Sequence, residues 1–395
     1  MATRPPRANT NDAMEATDPL VGQVIAGKYR IEKLIGVGGM GAVYRATQLA
    51  VERQVALKVL RQVPGVSEHQ LAERFKREAH ATSRLHHPNT VQVIDFGEEA
   101  GLLYLVLELL EGSPLLRVIQ RDAPLAPERV ASIGKQIAKS LAEAHAEGIV
   151  HRDLKPDNVF ICNYHGDPDF TKVMDFGIAR IVTADVAMTR TGMMIGTPKY
   201  MAPEQAMAKK VGPTADLYAL GVILFEMLTG VPPFSGDSGM ALALAHINEP
   251  PPPLMLPGYP EPLAEAWRGL VGSLLMKNPE KRAQSASQVA GWLQQVEVDA
   301  RRWAEVGVSP LLSTLPGRDP QATYDGPTPR STVTIAQAVG RPRDVNRVWV
   351  WTAALAFMIL GGLVAFLLVR PSKRVAAPTP PGASAPATPD ATSGD

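Results

Sequence analysis

Residues 150–158 read VHRDLKPDN, a stretch with four charged side chains that directly follows a helical pattern. DFG follows at residues 175–177, and its Asp175 is seventeen positions after Asn158. APE follows at residues 202–204. A single Asp or Lys is usually a solvated surface charge. Asp153 instead lies beside apolar residues, where an unpaired charge would be costly, so the stretch indicates paired functional groups.

A second motif, GVGGMG at residues 36–41, is a G-x-G-x-x-G run that two unrelated nucleotide-binding designs use. The six residues alone do not separate a dinucleotide site from a flap over ATP. A dinucleotide fingerprint needs a helix next and an acidic residue about twenty positions on. Here AVYRAT at 42–47 alternates like a strand, and the charged residue of the next strand is Lys58. A lysine suits a phosphate better than a ribose, which favours ATP and leaves NAD as the alternative.

Taken together, the motifs resemble the protein kinase superfamily over about residues 29–296. GVGGMGAVY, VHRDLKPDN and GTPKYMAPEQ, with one apolar span after a linker, are most similar to bacterial membrane-anchored serine/threonine kinases of the eukaryotic-like (Hanks) type. The resemblance implies an ATP-dependent, non-specific serine/threonine protein kinase of bacterial signal transduction. It implies transfer of the γ-phosphoryl group to protein hydroxyls, and autophosphorylation of the activation loop.

The implied fold is α+β with two lobes. Residues 29–110 form a small antiparallel β lobe with one long helix, and residues 111–296 form a larger, mainly helical lobe. The strand-like patterns are rich in β-branched and aromatic residues, and Ser67 is a candidate N-cap for the helix between them. These patterns are KYRIEKLIG, GAVYRATQ, RQVALKVLR, TVQVIDFGEE and LLYLVLELL. Residues 214–230 are predicted to be a buried core helix rather than a membrane span, because their longest uncharged run is only nine residues.

The resemblance implies nucleotide-binding residues in both lobes. Lys58 contacts the α- and β-phosphates and pairs with Glu78, while backbone groups of Glu108 and Leu110 bind adenine beside the gatekeeper Leu107. The complete predicted nucleotide-binding set is Ile35, Gly36, Val37, Gly38, Gly39, Met40, Gly41, Ala42, Val43, Ala56, Lys58, Glu78, Glu108, Leu110, Phe160 and Asp175.

Three of these residues enclose the adenine ring in the resemblance. Val43 and Ala56 cover one face, and Phe160 lies beneath the other. Phe160 departs from the family pattern, because Leu, Met or Ile is expected at this position. We therefore expect a tighter adenine slot.

The predicted catalytic set is Asp153, Lys155, Asn158 and Lys58. Asp153 is the expected base for the substrate hydroxyl, and Lys155 steadies the γ-phosphate, as in the serine/threonine subclass. Asn158 and Asp175 form the predicted metal set, since their oxygen ligands suit Mg²⁺, with Mn²⁺ as a substitute.

Two further pairs are expected to be structural. Arg282 in KNPEKRAQS resembles the buried arginine that pairs with the glutamate of the APE motif, here Glu204. His151 is expected to pack against Phe176 rather than to act as an acid or base.

The kinase activity is expected to be regulated through the segment at residues 178–201. Arg152 places a cation beside the active site, where it can pair with a phosphate on that segment. Autophosphorylation is predicted at Thr189 or Thr191, with Thr183 as a further candidate. Thr197 is expected to hydrogen-bond Asp153.

Composition argues against several other classes of protein. The formal net charge of +1 gives no case for nucleic-acid binding. The single cysteine, Cys162, excludes an intramolecular disulfide and a Cys-rich zinc site, which suits a reducing compartment. The first twenty residues contain no apolar run typical of a secretory signal, so the folded part is expected in the cytosol.

Residues 348–369 are twenty-two residues without a charge, and as a helix they would span about 33 Å. Trp349 and Trp351 lie at one end, and three basic residues flank each side, so the charges do not orient the span. A buried core helix is the alternative. We predict a single-pass anchor in the bacterial inner membrane, with a cytoplasmic kinase domain.

The remaining segments are predicted to lack a packed core. They are a disordered N-terminal segment at 1–28, a juxtamembrane linker at 297–347 and a short Pro-rich extracytoplasmic tail at 370–395.

The expected partners are protein substrates with Ser or Thr acceptors, with a kinase homodimer as an open option and no nucleic acid. The competing function class is a membrane-tethered pseudokinase. Such scaffolds typically lose the equivalents of Lys58, Asp153 or Asp175, and none is lost here.

Overall fold

The computed structural model describes residues 18–38, 41–60, 67–164, 166–177 and 198–306. Within these ranges the chain forms a β lobe followed by a mainly helical lobe, as the sequence predicts. None of the helices in the described ranges is both long and apolar enough to span a membrane. The predicted span at 348–369 and the tail at 370–395 lie outside those ranges, as does the linker from residue 307 onward.

A six-stranded antiparallel sheet forms the first lobe, with strand order β1-β2-β3-β4-β6-β5. All five strand-like patterns of the sequence are strands, and one short strand precedes them. The strands are β1 (Val24–Ile25), β2 (Tyr29–Gly38), β3 (Gly41–Gln48), β4 (Arg53–Leu60), β5 (Val93–Glu99) and β6 (Leu102–Glu108).

The sheet buries apolar side chains on both faces because its central strands are apolar at most positions. One face holds a cluster that includes Tyr29, Leu57 and Val106. The other face is covered by helix α1 (Glu68–Thr82), whose Phe75 lies in a second cluster. Ser67 caps α1 by accepting a hydrogen bond of 3.3 Å from the backbone N–H of Gln70, which confirms the predicted N-cap.

The segment before the predicted domain start is ordered from residue 18 onward. Strand β1 pairs with β2, and the Tyr44 hydroxyl donates a 3.0 Å hydrogen bond to Asp18. The backbone N–H of Ala26 donates to Glu99 at 2.6 Å. The prediction of disorder over 1–28 is therefore wrong for residues 18–28, because polar and apolar contacts with the sheet fix this short stretch.

The second lobe is built around helix α5 (Pro213–Thr229), which is buried along almost its whole length and lies in the largest apolar cluster. This confirms the predicted core helix. The elements of the lobe are β7 (Gly112–Pro114), α2 (Leu115–Asp122), α3 (Pro127–Ala146), β8 (Val159–Tyr164), β9 (Asp167–Val173), α4 (Pro203–Ala206), α5 (Pro213–Thr229), α6 (Gly239–Asn248), α7 (Glu261–Leu274) and α8 (Ala286–Val306).

Helix α8 crosses the predicted domain boundary at residue 296. Ala300 is buried, and Glu297 accepts a hydrogen bond of 2.5 Å from the ammonium group of Lys135 on α3. The boundary prediction is therefore too early, because the helix continues to pack against the second lobe to residue 300 and extends to Val306.

Candidate active site

The loop that follows α3 is anchored to α5 by one buried carboxylate. Asp216, which is 1% exposed, accepts hydrogen bonds of 2.8 Å from the backbone N–H groups of both His151 and Arg152. His145 Nε2 lies 2.8 Å from the same carboxylate. Asp216 therefore fixes the backbone immediately before Asp153. Asp216 is not among the residues predicted from the sequence, although an acid within an otherwise apolar helix is an available signal.

Arg152 adopts a left-handed backbone conformation, with φ of 66°. This region is uncommon for a non-glycine residue, and its strain persists only where the surroundings hold it. The bond from its N–H to Asp216 and a 2.8 Å bond from the Gln205 side chain to its carbonyl oxygen supply that restraint. Asp175, on the opposite side of the site, is also left-handed, with φ of 64°.

Three of the predicted catalytic residues lie together in this loop. The ammonium group of Lys155 is 2.7 Å from Asp153 Oδ2. The side-chain amide of Asn158 donates to the Asp153 carbonyl oxygen at 2.8 Å and to Asp153 Oδ2 at 3.3 Å. The Asp153 side chain is 27% exposed, so its carboxylate is oriented by two neighbours and still accessible to a substrate.

His151 has the structural role that was predicted for it. Its ring is fully buried, lies 4.8 Å from the Phe176 ring, and bonds through Nε2 to the Met174 carbonyl oxygen at 2.8 Å. The imidazole therefore joins the catalytic loop to the DFG segment at residues 175–177.

Lys58 lies across the site from this loop and is buried on β4. Its ammonium group forms an ion pair of 2.7 Å with Asp175 Oδ1. The predicted pair with Glu78 is wrong for this arrangement: among the ion pairs of the described residues, Lys58 takes part only in the one with Asp175. The Glu78 carboxylate instead lies beside the backbone of Gly177: a side chain at that position would place its Cβ 3.3 Å from Glu78 Oε2.

The glycine motif spans the end of β2 and the start of β3, and Gly38 pairs with Gly41. A strand rather than a helix follows the glycines, which excludes the dinucleotide fingerprint. A Cβ at Gly41 would lie 1.9 Å from the Val59 carbonyl oxygen, so this position requires glycine, whereas Gly36 has nothing within 4 Å. Gly39 and Met40 lie outside the described residues.

The side chains around this turn are open to solvent. Ile35 is 43% exposed and Val37 is 50% exposed, while Ala42 and Val43 are half-buried. Val43 pairs directly with Lys58 in the register of β3 and β4. The strand pairing therefore brings the predicted cover of the adenine next to the predicted phosphate ligand.

The predicted adenine slot lies where the two lobes join. Ala56 pairs with Leu107, and Glu108 is the last residue of β6. The backbone N–H of Glu108 already donates to the Gln92 carbonyl oxygen at 3.1 Å, which leaves its carbonyl as the group for adenine. Phe160, the predicted floor of the slot, is half-buried on β8.

The predicted metal ligands have suitable donor atoms. Asn158 uses its amide N–H₂ on Asp153, which leaves its carbonyl oxygen for a cation. Asp175 contributes a carboxylate whose Oδ1 bonds Lys58. Both are hard oxygen donors, so the pair fits a divalent cation that also binds phosphate oxygens. No group of three or more His, Cys, Asp or Glu side chains in the described ranges could hold a metal.

The APE glutamate and Arg282 form the predicted structural pair. Two guanidinium nitrogens of Arg282 bond the two carboxylate oxygens of Glu204, at 2.8 and 3.1 Å, and the guanidinium also bonds the Thr214 carbonyl oxygen at 2.6 Å. Both side chains are buried. The predicted phosphorylation sites Thr183, Thr189 and Thr191, and also Thr197, lie outside the described residues.

A second buried polar cluster lies near α6 and was not selected from the sequence. The Lys277 ammonium lies 4.0 Å from the centre of the Phe234 ring and donates to the His246 carbonyl oxygen at 2.6 Å. His246 Nδ1 lies 3.0 Å from the Tyr218 hydroxyl. Burial lowers the pKa of Lys277 to about 8 and that of His246 to about 4.

Comparison with known proteins relates this site to one family. A family model described as "Protein kinase domain" matches residues 29–292. Serine/threonine-protein kinase pkn3 of Myxococcus xanthus is 44% identical over 290 residues, which are 72% of this chain and 53% of the relative. Serine/threonine-protein kinase PknA of Mycobacterium tuberculosis is 38% identical over 335 residues, or 83% of this chain and 73% of the relative.

A third relative, serine/threonine-protein kinase PrkC of Bacillus subtilis, is 41% identical over 233 residues, or 59% of this chain and 35% of the relative. The chain spans about half the length of the Myxococcus relatives that it matches, with 53% and 43% of their sequences covered.

Proposed function

Because the chain belongs to the protein kinase family, we propose that it is an ATP-dependent serine/threonine protein kinase of bacterial signal transduction. One observation carries the proposal. Asp153, Lys155 and Asn158 lie within hydrogen-bonding distance of one another on a loop anchored to α5. The same combination of carboxylate, ammonium and amide serves phosphoryl transfer in this family. The serine/threonine kinases among the relatives support the choice of acceptor.

The reaction transfers the γ-phosphoryl group of ATP to a Ser or Thr hydroxyl. The hydroxyl oxygen forms a bond to the γ-phosphorus, the bond from that phosphorus to the β,γ-bridging oxygen breaks, and ADP leaves. Asp153 orients the hydroxyl and accepts its proton. Lys155 neutralises charge on the transferred group, and Lys58 holds the α- and β-phosphates. Positioning and charge neutralisation account for most of the catalysis in this chemistry.

A divalent cation, of which Mg²⁺ is our choice and Mn²⁺ a substitute, would be held by Asn158 and Asp175. When bound, it would neutralise negative charge on the β- and γ-phosphates. The ammonium group of Lys58 lies 2.7 Å from that carboxylate, so the two charges are paired next to the phosphate subsite.

The direct test uses ATP labelled either at the α- or at the γ-phosphorus, with a generic basic protein as acceptor. We expect label from the γ-position only, and loss of transfer in the Asp153→Asn variant. Equal transfer by the wild type and Asp153→Asn would contradict the assignment. No transfer by the wild type, with ATP bound normally, would favour the pseudokinase alternative.

We also propose that residues 348–369 anchor the kinase in the inner membrane and that residues 370–395 lie outside. The uncharged length and the Trp residues at one end support this. The full chain is expected in carbonate-washed membranes, and a variant that ends at residue 347 is expected in the soluble fraction. A reporter enzyme that works only outside the cytoplasm should be active when it is fused after residue 395. Equal partitioning of both variants would contradict the anchor.

We propose autophosphorylation at Thr189 or Thr191, because both lie in the segment at residues 178–201, on which a phosphate could pair with Arg152. Mass spectrometry should find phosphate at one of them in the wild type and none in Asp153→Asn. A kinase homodimer would make the initial rate per molecule increase with enzyme concentration, whereas a rate independent of concentration would favour reaction within one chain.

A further inference from the structure

An ion pair behind the predicted hinge joins the two lobes beside the adenine slot. The ammonium group of Lys172 on β9 lies 2.6 Å from Oε1 of Glu108, the last residue of β6. The same ammonium lies 3.4 Å from the Thr90 carbonyl oxygen. The Lys172 side chain is only 13% exposed, so solvent screens this pair less than it screens a surface ion pair.

Both partners are held in place by backbone contacts. Glu108 Oε1 also accepts the backbone N–H of Gln92 at 2.8 Å, and the Glu108 N–H donates to the Gln92 carbonyl oxygen at 3.1 Å. The segment before Gln92 bonds β9 directly, since the Val91 N–H donates to the Val173 carbonyl oxygen at 2.9 Å. The carboxylate of Glu108 is therefore fixed at a position set jointly by the sheet of the first lobe and by β9.

The same ion pair is adjacent to the floor of the slot. Lys172 is the direct cross-strand partner of Phe160 in the pairing of β8 and β9. Side chains of directly opposed residues in an antiparallel pair project from the same face, with Cβ atoms about 5 Å apart. Glu108 follows Leu107, which pairs with Ala56 in the cover of the slot. The ion pair between Lys172 and Glu108 thus links the hinge at the end of β6 to the strand that pairs with Phe160, the predicted floor of the adenine slot. Through Leu107 the hinge also adjoins Ala56, part of the predicted cover.

We propose that Lys172 is a positioning residue for ATP, which sets the distance between the hinge and Phe160 by holding the Glu108 carboxylate. Lys172 touches neither the phosphates nor the reacting hydroxyl. This inference rests on the proposed function, because it concerns the adenine subsite of that reaction. Loss of the pair weakens adenine binding and leaves the phosphoryl-transfer step unchanged.

The test measures adenosine and ATP binding by calorimetry, together with kcat and KM, for the full chain and for Lys172→Met. Adenosine affinity should fall about fivefold, the magnitude of one typical hydrogen bond, and ATP affinity should fall by the same factor. The KM for ATP should increase correspondingly while kcat stays within about twofold. Lys172→Arg should restore most of the adenosine affinity.

Two further variants keep the test decisive if Lys172→Met folds poorly. Glu108→Gln keeps the size of the side chain and removes the charge, and it should reduce adenosine affinity as Lys172→Met does, with little additional loss in the double variant. Lys135→Met removes a comparably buried ion pair, with Glu297, remote from the slot, and should leave adenosine binding unchanged.

Each outcome bears on one claim. A wild-type chain that binds no adenine nucleotide contradicts the proposed kinase function. Normal binding by the wild type with unchanged adenosine affinity in Lys172→Met and Glu108→Gln overturns the positioning role alone. A lower kcat at unchanged adenosine affinity would also overturn it, because the effect would then lie in the transfer step.

Discussion

The two sides of the active site are held in different ways. The catalytic loop is tied down by buried polar groups, with Asp216 bonding two consecutive backbone N–H groups from within α5. In its described residues the glycine turn is held by the pairing of β2 with β3, and its flanking residues Ile35 and Val37 are about half exposed. One side is fixed by side chains distant in sequence and the other by neighbouring strands.

This difference matches what phosphoryl transfer requires from each side. The groups that meet the reacting atoms must keep their geometry, since small displacements cost large factors in rate. The cover over the phosphates must admit ATP and release ADP, and the open space around Gly36 and Gly38 suits this movement. The comparison predicts that substitutions in the loop and its anchor cost most, and that substitutions in the turn depend on local space.

The largest effect is expected for Asp153→Asn, which keeps the shape of the side chain and removes its capacity as a base. We predict that kcat falls about 10²- to 10⁴-fold, with little change in the KM for ATP or in the melting temperature. Steady-state kinetics and thermal unfolding check this. A kcat within about threefold of the wild type would remove Asp153 from the proposed role.

The anchor is tested by Asp216→Ala, which leaves two buried backbone N–H groups without their acceptor. We expect a loss of about 3 kcal/mol in the free energy of unfolding, and lower kcat in the protein that remains folded. Asp122→Ala removes a more accessible acid, with a side chain 28% exposed, that pairs with Arg121 and Arg129 and should cost less than about 1 kcal/mol. Equal losses from both substitutions, measured by urea unfolding, would mean that Asp216 is not a special anchor.

The glycine turn offers a matched pair of substitutions. Gly41→Ala should destabilise the protein by about 2 kcal/mol, because the new Cβ would overlap the Val59 carbonyl oxygen. Gly36→Ala meets open space and should change stability by less than about 0.5 kcal/mol. If both variants unfold at the same urea concentration as the wild type, the close approach at Gly41 carries no energetic weight.

The smallest effect concerns His246, whose folded-state pKa of about 4 lies below its ordinary value because the ring is buried. Between about pH 6.5 and pH 4 the unfolded chain binds a proton that the folded chain does not, so stability falls as the pH falls. Lys277, which faces His246, is charged throughout this range and opposes protonation of the ring.

At pH 5.5 the linkage is worth on the order of 1 kcal/mol. We therefore expect His246→Gln to lose less stability than the wild type between pH 7 and pH 5.5, and the exposed His69→Gln to follow the wild type. Parallel pH curves for wild type and His246→Gln, from chemical unfolding, would contradict the buried neutral ring.

The sequence was sufficient for features that depend on local pattern. Alternating strands, the Ser67 cap and the pairing of Glu204 with Arg282 all follow from motifs or from family resemblance, and the structure contains them. Asp216 was missed because its partner His151 is 65 positions away and one acid in a helix has no periodic signal.

The prediction that Lys58 pairs with Glu78 was wrong for a related reason. Glu78 and Asp175 are both acids that motif order places near the phosphates, and Asp175 is 117 positions away from Lys58. Which carboxylate the ammonium contacts depends on how the two lobes meet, and that distance is a property of the packed chain. Lys172 was overlooked because its role depends on the same junction between lobes.

Transfer from ATP to Ser and Thr hydroxyls is measured with four peptides that differ only in the acceptor residue: Ser, Thr, Tyr or Ala. With γ-labelled ATP, we expect phosphoserine and phosphothreonine, no label in the Ala peptide, and a Tyr rate at least about 100-fold lower, a discrimination of about 2.7 kcal/mol in transition-state binding. Label that appears chiefly as phosphotyrosine, or equally in the Ala peptide, would contradict the account.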